Sequence, residues 1–264
     1  MSDFHQSGVI TTFHNLRTQS IEQQEQEVRK YAKQSPVSLV LPSLYSELEG
    51  EALPRIVQIL SEMDYINQII IGLDRASLKE YKHALDFFSS LPQNVSLLWN
   101  DGDRMRNIDH ELSKYNLSPK QPGKGRNVWY MFGYALAQRN TDIIAVHDCD
   151  ITTYNRDMLI KLLYPVINPQ LNFKYSKGFY SRIANRKMNG RVCRLLITPL
   201  LRALKKVCGS SEYLDYMDSF KYALSGEFAF QQDILSDIRI PSDWGLEMGC
   251  LLYTSPSPRD FTES

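Results

Sequence analysis

The sequence predicts an α/β fold built on a parallel sheet with helices on both faces. Short apolar runs alternate with segments whose apolar residues recur at helical spacing. Continuous apolar runs of this kind are typical of strands that are buried on both faces. The chain has 264 residues, of which 43% are hydrophobic and 23% charged. These values are those of a folded domain rather than of a disordered chain.

The individual elements follow from those runs. Strands are expected at residues 37–41, 69–71, 95–99 and 142–147, and helices at 21–33, 51–63, 77–89, 127–138 and 192–207. Pro42 is expected to end the first strand, and weaker strand signals lie at 171–180 and 223–230. The polar stretch 100–125 is too long for a simple connection, so we interpret it as a functional loop.

Charge and cysteine content exclude several classes of protein. Thirty Lys and Arg balance thirty Asp and Glu, which argues against nucleic acid or an anionic membrane as the main partner. Small anionic ligands stay open, because they need only a local cluster of donors. The sequence has no apolar run of transmembrane length and no secretory signal. Four cysteines without a C-x-x-C pair indicate free thiols, and we expect a cytoplasmic protein.

Asp148 and Asp150 form the first candidate site. Two carboxylates separated by one residue, directly after a buried strand, can hold a hard divalent ion such as Mg²⁺. The pattern is weak by itself, since Asp101 and Asp103 repeat it at the start of the polar stretch. Only the later copy follows a strand, where ligands collect in open α/β sheets. A plain loop turn is the alternative.

Residues 122–127 read Pro-Gly-Lys-Gly-Arg-Asn and form the second candidate. Glycines on either side of Lys124 let the backbone approach an anion, and the helix that follows offers its N-terminal N–H groups. The pattern is not a nucleotide-hydrolase phosphate loop. An ordinary helix start is the simpler interpretation of these residues alone.

Three further motifs carry polar groups in suggestive places. Arg191, beside Gly190 at a helix start, is suited to bind a phosphate or carboxylate with both guanidinium nitrogens. Ser225-Gly226-Glu227 and the stretch Trp244 to Glu247 could bind sugar hydroxyls and pack a ring on a sugar face. From pattern alone, a solvated arginine and buried, hydrogen-bonded glutamates are the simpler interpretations. The five histidines are scattered and match no metal or catalytic motif.

Residues 250–260 read Cys-Leu-Leu-Tyr-Thr-Ser-Pro-Ser-Pro-Arg-Asp, which matches the translation of a common sequencing adapter. A natural Ser/Pro tail is the alternative. We interpret residues 250–264 as an artefact, exclude them from the fold prediction, and expect the gene to continue past Gly249.

Together the motifs, in this order, resemble the glucosyl-3-phosphoglycerate synthases, which are retaining glycosyltransferases of the A-type fold. The resemblance covers nearly all of residues 3–249. It runs through these segments: 3–6, 10–14, 41–44, 122–127, 147–151, 189–192, 225–228 and 245–249. It implies a Rossmann-like nucleotide-sugar-binding sheet over 36–151, preceded by an arm and helix over 1–35. An incomplete acceptor-binding half would then occupy residues 152–249.

The resemblance also implies roles for individual residues. The donor would be UDP-glucose, the acceptor 3-phosphoglycerate and the cofactor Mg²⁺ or Mn²⁺. The implied catalytic residues are Asp150, Lys124 and Glu247, and the implied metal ligands are Asp148 and Asp150. The implied donor-binding residues are Pro42, Leu44, Glu47, Lys124, Asp148, Trp244 and Glu247. The implied acceptor-binding residues are Gly190, Arg191 and Cys193.

The chain departs from the family pattern at several positions. Tyr45-Ser46-Glu47 stands where many relatives have Asn-Glu-Glu, Cys193 replaces a common Thr, and Trp244 replaces a common Tyr. The family also has a metal-binding histidine after the Glu247 motif, whereas this chain has no histidine after His147.

Three alternatives to glucosyl transfer stay open. The first is a mannosyl-3-phosphoglycerate synthase or a related transferase with another acceptor. The second is a fold that binds a nucleotide sugar without transferring it, and the third is an inactive fragment. A homodimer is also compatible with the sequence.

Overall fold

The computed structural model describes residues 19–119, 121–171, 173–179, 183–184, 187–188, 192–209, 211–220, 222, 224–237 and 240–242. Its strands are β1 (Val37–Leu44), β2 (Ile66–Asp74), β3 (Asn94–Trp99), β4 (Ile143–Val146), β5 (Tyr175–Lys177), β6 (Ile183–Ala184), β7 (Lys187–Met188) and β8 (Phe228–Gln231). Its helices are α1 (Ile21–Ala32), α2 (Tyr45–Leu48), α3 (Ala52–Leu60), α4 (Leu78–Phe88), α5 (Asp103–Ser113), α6 (Lys124–Gln138), α7 (Arg156–Ile167), α8 (Thr198–Cys208), α9 (Glu212–Ser219) and α10 (Ile234–Asp237). A π-helical turn, Cys193–Ile197, leads into α8.

The described strands form a six-stranded sheet in the order β3-β2-β1-β4-β8-β5, and β6 pairs separately with β7. Strands β1 to β4 run parallel to one another, as the sequence predicts. Strand β8 runs antiparallel to both β4 and β5. The predicted α/β class is confirmed, and the sheet is mixed rather than wholly parallel. Because β8 is antiparallel, its first residues lie at the same edge of the sheet as the carboxyl ends of β1 and β4.

Neighbouring residues of each central strand pack into opposite cores. Leu39 and Ile69 belong to the larger core, while Val40 and Ile70 belong to a second core with α6 residues such as Val128. This alternation is what a period-2 strand requires when both of its faces are covered. Helix α6 therefore covers one face of the sheet, while α3, α4 and α7 line the other.

Strand β1 continues through Pro42, where the sequence analysis ends it. The Val40 carbonyl accepts from His147 N, so the even-numbered backbone groups of β1 face β4. The last β1–β4 pair is Val40–Val146, and the proline N, which has no hydrogen to donate, faces the same side two residues further on. No ladder hydrogen bond is lost there, and a proline is tolerated for that reason.

The sequence analysis predicts five of the ten α-helices among the described residues and misses α2, α5, α7, α9 and α10. Helix α5 occupies part of the polar stretch that we interpreted as a functional loop, and the Tyr130 hydroxyl of α6 donates to its Asp109 at 2.7 Å. Helix α7 is buried along most of its length and contains Pro165 in its last turn. A helix with so few polar positions and an internal proline shows little amphipathic periodicity.

The predicted boundary after Ile151 stays a prediction. The six-stranded sheet continues across it, because β5 and β8 come from the second half and pair onto β4. Among the described residues, no helix is both long enough and apolar enough to cross a membrane.

Gly72 of β2 lies directly against α6, with no room for a side chain. The Asn127 side chain donates to the Gly72 carbonyl at 2.7 Å, and a Cβ at position 72 would overlap Asn127 and lie 2.9 Å from the sulfur of Met131. We therefore expect Gly72→Ala to lower the free energy of unfolding by about 1–3 kcal/mol, measured by chemical denaturation.

Gly133→Ala is the matched control for that substitution. Gly133 lies on the exposed side of α6, and a Cβ there meets no atom within 4 Å. Alanine should be neutral or stabilising at that position because it forms helix better than glycine. Equal stability of the two variants would contradict the packing assigned to Gly72.

Candidate functional site

The candidate site lies where four elements end at one edge of the sheet. Strands β1 and β4 finish there at Leu44 and Val146, α6 begins there at Lys124, and β8 begins there at Phe228. Ligands of open α/β sheets collect at the carboxyl ends of the strands. Most of the described residues that the sequence analysis selects fall at this edge.

The ion pair between Lys124 and Asp148 is the centre of the site. Lys124 Nζ lies 2.5 Å from Asp148 Oδ1, and the two side chains are 28% and 25% exposed. Lys124 is the first residue of α6, directly after Gly123, whose φ of 145° favours glycine. The predicted helix is confirmed, and it begins at Lys124, three residues before the expected start. The structure thus joins the two motifs that the sequence analysis treats separately.

Glu47 lies close to this pair on α2. Its Oε2 accepts from Ser43 Oγ at 3.0 Å and from Leu44 N at 3.1 Å, which fixes the carboxylate against the end of β1. Burial raises its pKa, the two hydrogen bonds oppose that shift, and the charges of Asp150 and Asp148 add to it. Three carboxylates therefore share one edge of the site. Such an arrangement favours binding of a cation.

Pro42 and Leu44 lie at the end of β1, just before Glu47 in the chain. Both are in the last three residues of β1, with Pro42 buried and Leu44 half-buried. The end of the strand positions the Leu44 N–H, which donates to Glu47 Oε2. This is a structural role that the sequence alone does not show.

The turn Ser225-Gly226-Glu227 packs against the ion pair. A Cβ at position 226 would overlap the Asp148 carboxylate and lie 2.6 Å from Lys124 Nζ. Glu227 is buried, and its Oε2 accepts from Ser225 Oγ at 2.6 Å. The turn, which the sequence analysis names as a possible sugar-binding motif, is thus in direct contact with the predicted donor-binding residues.

Asp74 and Asn100, at the ends of β2 and β3, extend the polar edge and were not selected from the sequence, whereas their neighbour Arg126 belongs to the second candidate motif. Asp74 Oδ1 accepts from Asn100 Nδ2 at 2.8 Å and from Arg126 Nη2 at 3.5 Å. Burial raises the pKa of Asp74, while both partners act against that shift. The sequence could have indicated Asp74, because it ends a buried strand much as Asp148 follows one. The predicted strand, however, covered only residues 69–71 and did not reach Asp74.

The two residues beside Asp148 belong to the interior. His147 is fully buried and packs edge-on against Tyr154 with 5.3 Å between ring centroids, and burial lowers its pKa to about 4. Burial also raises the pKa of the Cys149 thiol. A neutral imidazole and a protonated thiol are core groups, as expected for residues without a catalytic motif.

The second Asp-x-Asp copy has a structural role. Asp101 Oδ2 accepts from Ala76 N at 3.0 Å, and Trp99 Nε1 donates to the Ala76 carbonyl at 2.8 Å, so this copy fixes the loop between β2 and α4. The Asp103 side chain is 97% exposed. The earlier copy thus has a structural partner, while the metal role predicted for Asp148 and Asp150 stays a prediction.

Four predicted site residues lie outside the described residues: Gly190, Arg191, Trp244 and Glu247. Cys193 begins the π-helical turn before α8, and only its backbone is described. The predicted roles of these five residues stay predictions.

Asp148 and Asp150 fit a hard divalent ion in part. Among the described residues, no group of three His, Cys, Asp or Glu side chains has the arrangement of a metal site. Mg²⁺ commonly binds through one or two carboxylates and completes its shell with water and substrate phosphates. The Asp148–Asp150 pair, with its oxygen donors and the exposed Asp150, matches a site of one or two carboxylates completed by water and phosphates.

Sequence comparison finds relatives along nearly the whole chain. The chain is 45% identical over 251 residues to the glucosyl-3-phosphoglycerate synthase of Persephonella marina, which covers 95% of this chain and 62% of that protein. It is 38% identical over 252 residues to the enzyme of the same name from Methanococcoides burtonii, which covers 94% of this chain and 61% of that protein. The chain thus spans about three fifths of the length of these relatives. The resemblance predicted from sequence is confirmed, although no family model matches the chain.

Structural comparison confirms the fold. The glucosyl-3-phosphoglycerate synthase of Mycobacterium tuberculosis, solved with Mn²⁺, UDP-glucose and phosphoglyceric acid, aligns with a TM-score of 0.61 at 21% identity. That alignment covers 91% of this chain and 70% of the other. A structure of the same enzyme with Mg²⁺ and UDP gives a TM-score of 0.62 and also 21% identity. The predicted glycosyltransferase A-type fold is therefore confirmed.

The raised pKa of Glu47 gives a prediction about stability against pH. A carboxyl whose pKa is higher in the folded than in the unfolded state makes the fold less stable as pH rises from the unfolded pKa through the folded one. Glu47→Gln should flatten this part of the profile, measured by urea denaturation from pH 4 to 7.5. The amide oxygen can still accept from Ser43 and Leu44.

Glu80→Gln is the matched control. Glu80 is exposed, and its backbone and side-chain hydrogen bonds with Ser77 lower its pKa, so its effect on the profile has the opposite sign. An unchanged profile in the Glu47 variant would refute the assigned environment of Glu47.

Proposed function

We propose that this chain, a relative of the glucosyl-3-phosphoglycerate synthases, transfers glucose from UDP-glucose to 3-phosphoglycerate with retention at the anomeric carbon. The observation that carries the proposal is the Lys124–Asp148 ion pair at the carboxyl edge of the sheet, with Asp150 and Glu47 beside it. The names of the relatives and the ligands of the solved structures support the choice of donor and acceptor.

Lys124 and the start of α6 are proposed to bind the diphosphate of the donor. An ammonium group at the first turn of a helix offers its own charge together with free backbone N–H groups. Its pairing with Asp148 is partly exposed, so the ammonium can contact a phosphate without leaving a buried carboxylate unpaired. Pro42, Leu44 and Glu47 would contact the uridine side at the end of β1.

Asp148 and Asp150 are proposed to hold Mg²⁺ or Mn²⁺ together with the donor phosphates. The ion would supply charge stabilisation for the departing UDP. Structures of the Mycobacterium tuberculosis enzyme contain either ion with UDP, which supports this assignment.

The acceptor segment is proposed at Gly190, Arg191 and Cys193. The arginine would bind the phosphate or carboxylate of 3-phosphoglycerate, and Glu247 and Trp244 would hold the transferred glucose. The acceptor hydroxyl would attack the anomeric carbon on the face from which UDP departs, forming the new C–O bond as the bond to the phosphate oxygen breaks, and its proton would pass to that departing phosphate oxygen. Positioning of the two substrates and stabilisation of the leaving diphosphate would then supply most of the rate.

A cytoplasmic location is part of the proposal. Cys149 and Cys208 are free thiols among the described residues, which suits a reducing compartment.

The metal role of Asp150 gives the first test of this function. Asp150→Ala should lower the rate of glucosyl transfer, followed by UDP release in the presence of 3-phosphoglycerate, by about a hundredfold or more, because a charge that stabilises the leaving group is lost. Asp103→Ala, from the second Asp-x-Asp copy, is the control and should leave the rate unchanged. Near-wild-type transfer by the Asp150 variant would rule out the metal role.

The acceptor role of Arg191 gives the second test. Arg191→Ala should raise KM for 3-phosphoglycerate by about tenfold or more and leave KM for UDP-glucose nearly unchanged, since charge-assisted hydrogen bonds to the acceptor are lost. Arg202→Ala, an exposed arginine of α8, is the control. Equal increases in both KM values would place Arg191 elsewhere in the mechanism.

A further inference from the structure

The inference concerns the turn before β8 and starts from the register of the sheet. Strand β8 pairs with β4 so that Phe228 lies opposite Val146. Continuing that antiparallel register by two residues places Gly226 opposite Asp148. The contact between the turn and the ion pair is therefore set by the sheet itself rather than by a loop.

Strand β5 fixes the other side of the same turn. The β5–β8 register pairs Lys177 with Phe228, and Gly178 N then donates to the Glu227 carbonyl at 2.8 Å. A Cβ at Gly178 would lie 3.2 Å from the Glu227 Cβ and 3.4 Å from Ser225 Oγ. The turn is thus packed between Gly178, which directly follows β5, and the Lys124–Asp148 pair.

Glu227 holds the turn from inside. Its side chain is 2% exposed and accepts the Ser225 hydroxyl through Oε2, while Oε1 has no hydrogen-bond partner among the described residues. Burying a carboxylate costs free energy unless its oxygens are hydrogen-bonded, so the hydrogen bond with Ser225 ties Glu227 to the conformation of the turn.

We propose that Gly226 and Glu227 are positioning residues of the donor site. Gly226 leaves the volume that the Asp148 carboxylate and the Lys124 ammonium occupy, and Glu227, bonded to Ser225, keeps the turn at that distance. The functional effect of this positioning rests on the proposed function, because the positioned groups are the proposed ligands of the metal and the diphosphate.

The geometric part is tested without substrate by a double-mutant cycle on stability. Gly226→Ala forces the ends of two side chains to move, and it should cost less unfolding free energy when Asp148→Ala has already removed one of them. Gly133→Ala, combined with Asp148→Ala, is the control and should show no coupling. Additive effects for Gly226 and Asp148 would overturn the proposed contact.

The functional part is tested by calorimetric titration of each variant with UDP in the presence and absence of Mn²⁺. Gly226→Ala should weaken Mn²⁺-dependent UDP binding by about tenfold or more, because charge-assisted contacts at Asp148 and Lys124 are displaced. Unchanged affinity would overturn the role of Gly226. Absence of UDP binding by the unsubstituted chain would instead overturn the proposed function, and the stability cycle would still decide the contact.

Two substitutions of Glu227 separate positioning from direct catalysis. Glu227→Gln keeps an oxygen that accepts from Ser225, so it should retain most of the UDP affinity and most of kcat, whereas Glu227→Ala should lose both. A Gln variant as impaired as the Ala variant would show that the charge itself is needed and would overturn the positioning role.

Discussion

The antiparallel pairing of β8 onto β4 is the constraint on which the rest of the site depends. Strand β4 is only four residues long and is buried throughout, with β1 parallel on one side and β8 antiparallel on the other. A parallel strand in place of β8 would present its carboxyl end at this edge. The reversed strand presents its first residues instead, directly after the small and acidic residues of the turn 225–227.

The sequence predicts the central sheet well because its signal is local. Each buried strand is a run of apolar residues, and the structure places strands over all four of the predicted runs in the first half. The Lys-Gly and Asp-x-Asp motifs were found for the same reason, since each is a short pattern beside an element. Their meeting at 2.5 Å could not be predicted, because it depends on how α6 packs across the sheet.

Elements set by tertiary contacts were the ones missed. Helix α7 carries apolar residues on nearly every side and a proline, so burial rather than amphipathic pattern specifies it. Asp74 was overlooked because its partners, Asn100 and Arg126, come from two other elements. Gly226 was part of a possible sugar-binding motif in the sequence, and only the structure shows that a side chain there would meet Asp148.

The charges at this edge explain why its parts must be held so closely. Glu47, Asp148 and Asp150 repel one another, and the repulsion adds to the raised pKa of Glu47. Lys124 offsets that repulsion through its ion pair with Asp148, which at about a quarter exposure is only partly desolvated. In the proposed donor site, a partly desolvated pair of this kind would keep both charges within reach of a cation and a diphosphate. The small volume of Gly226 then has a physical meaning: a bulkier residue would fix the two charges apart before either ligand arrived.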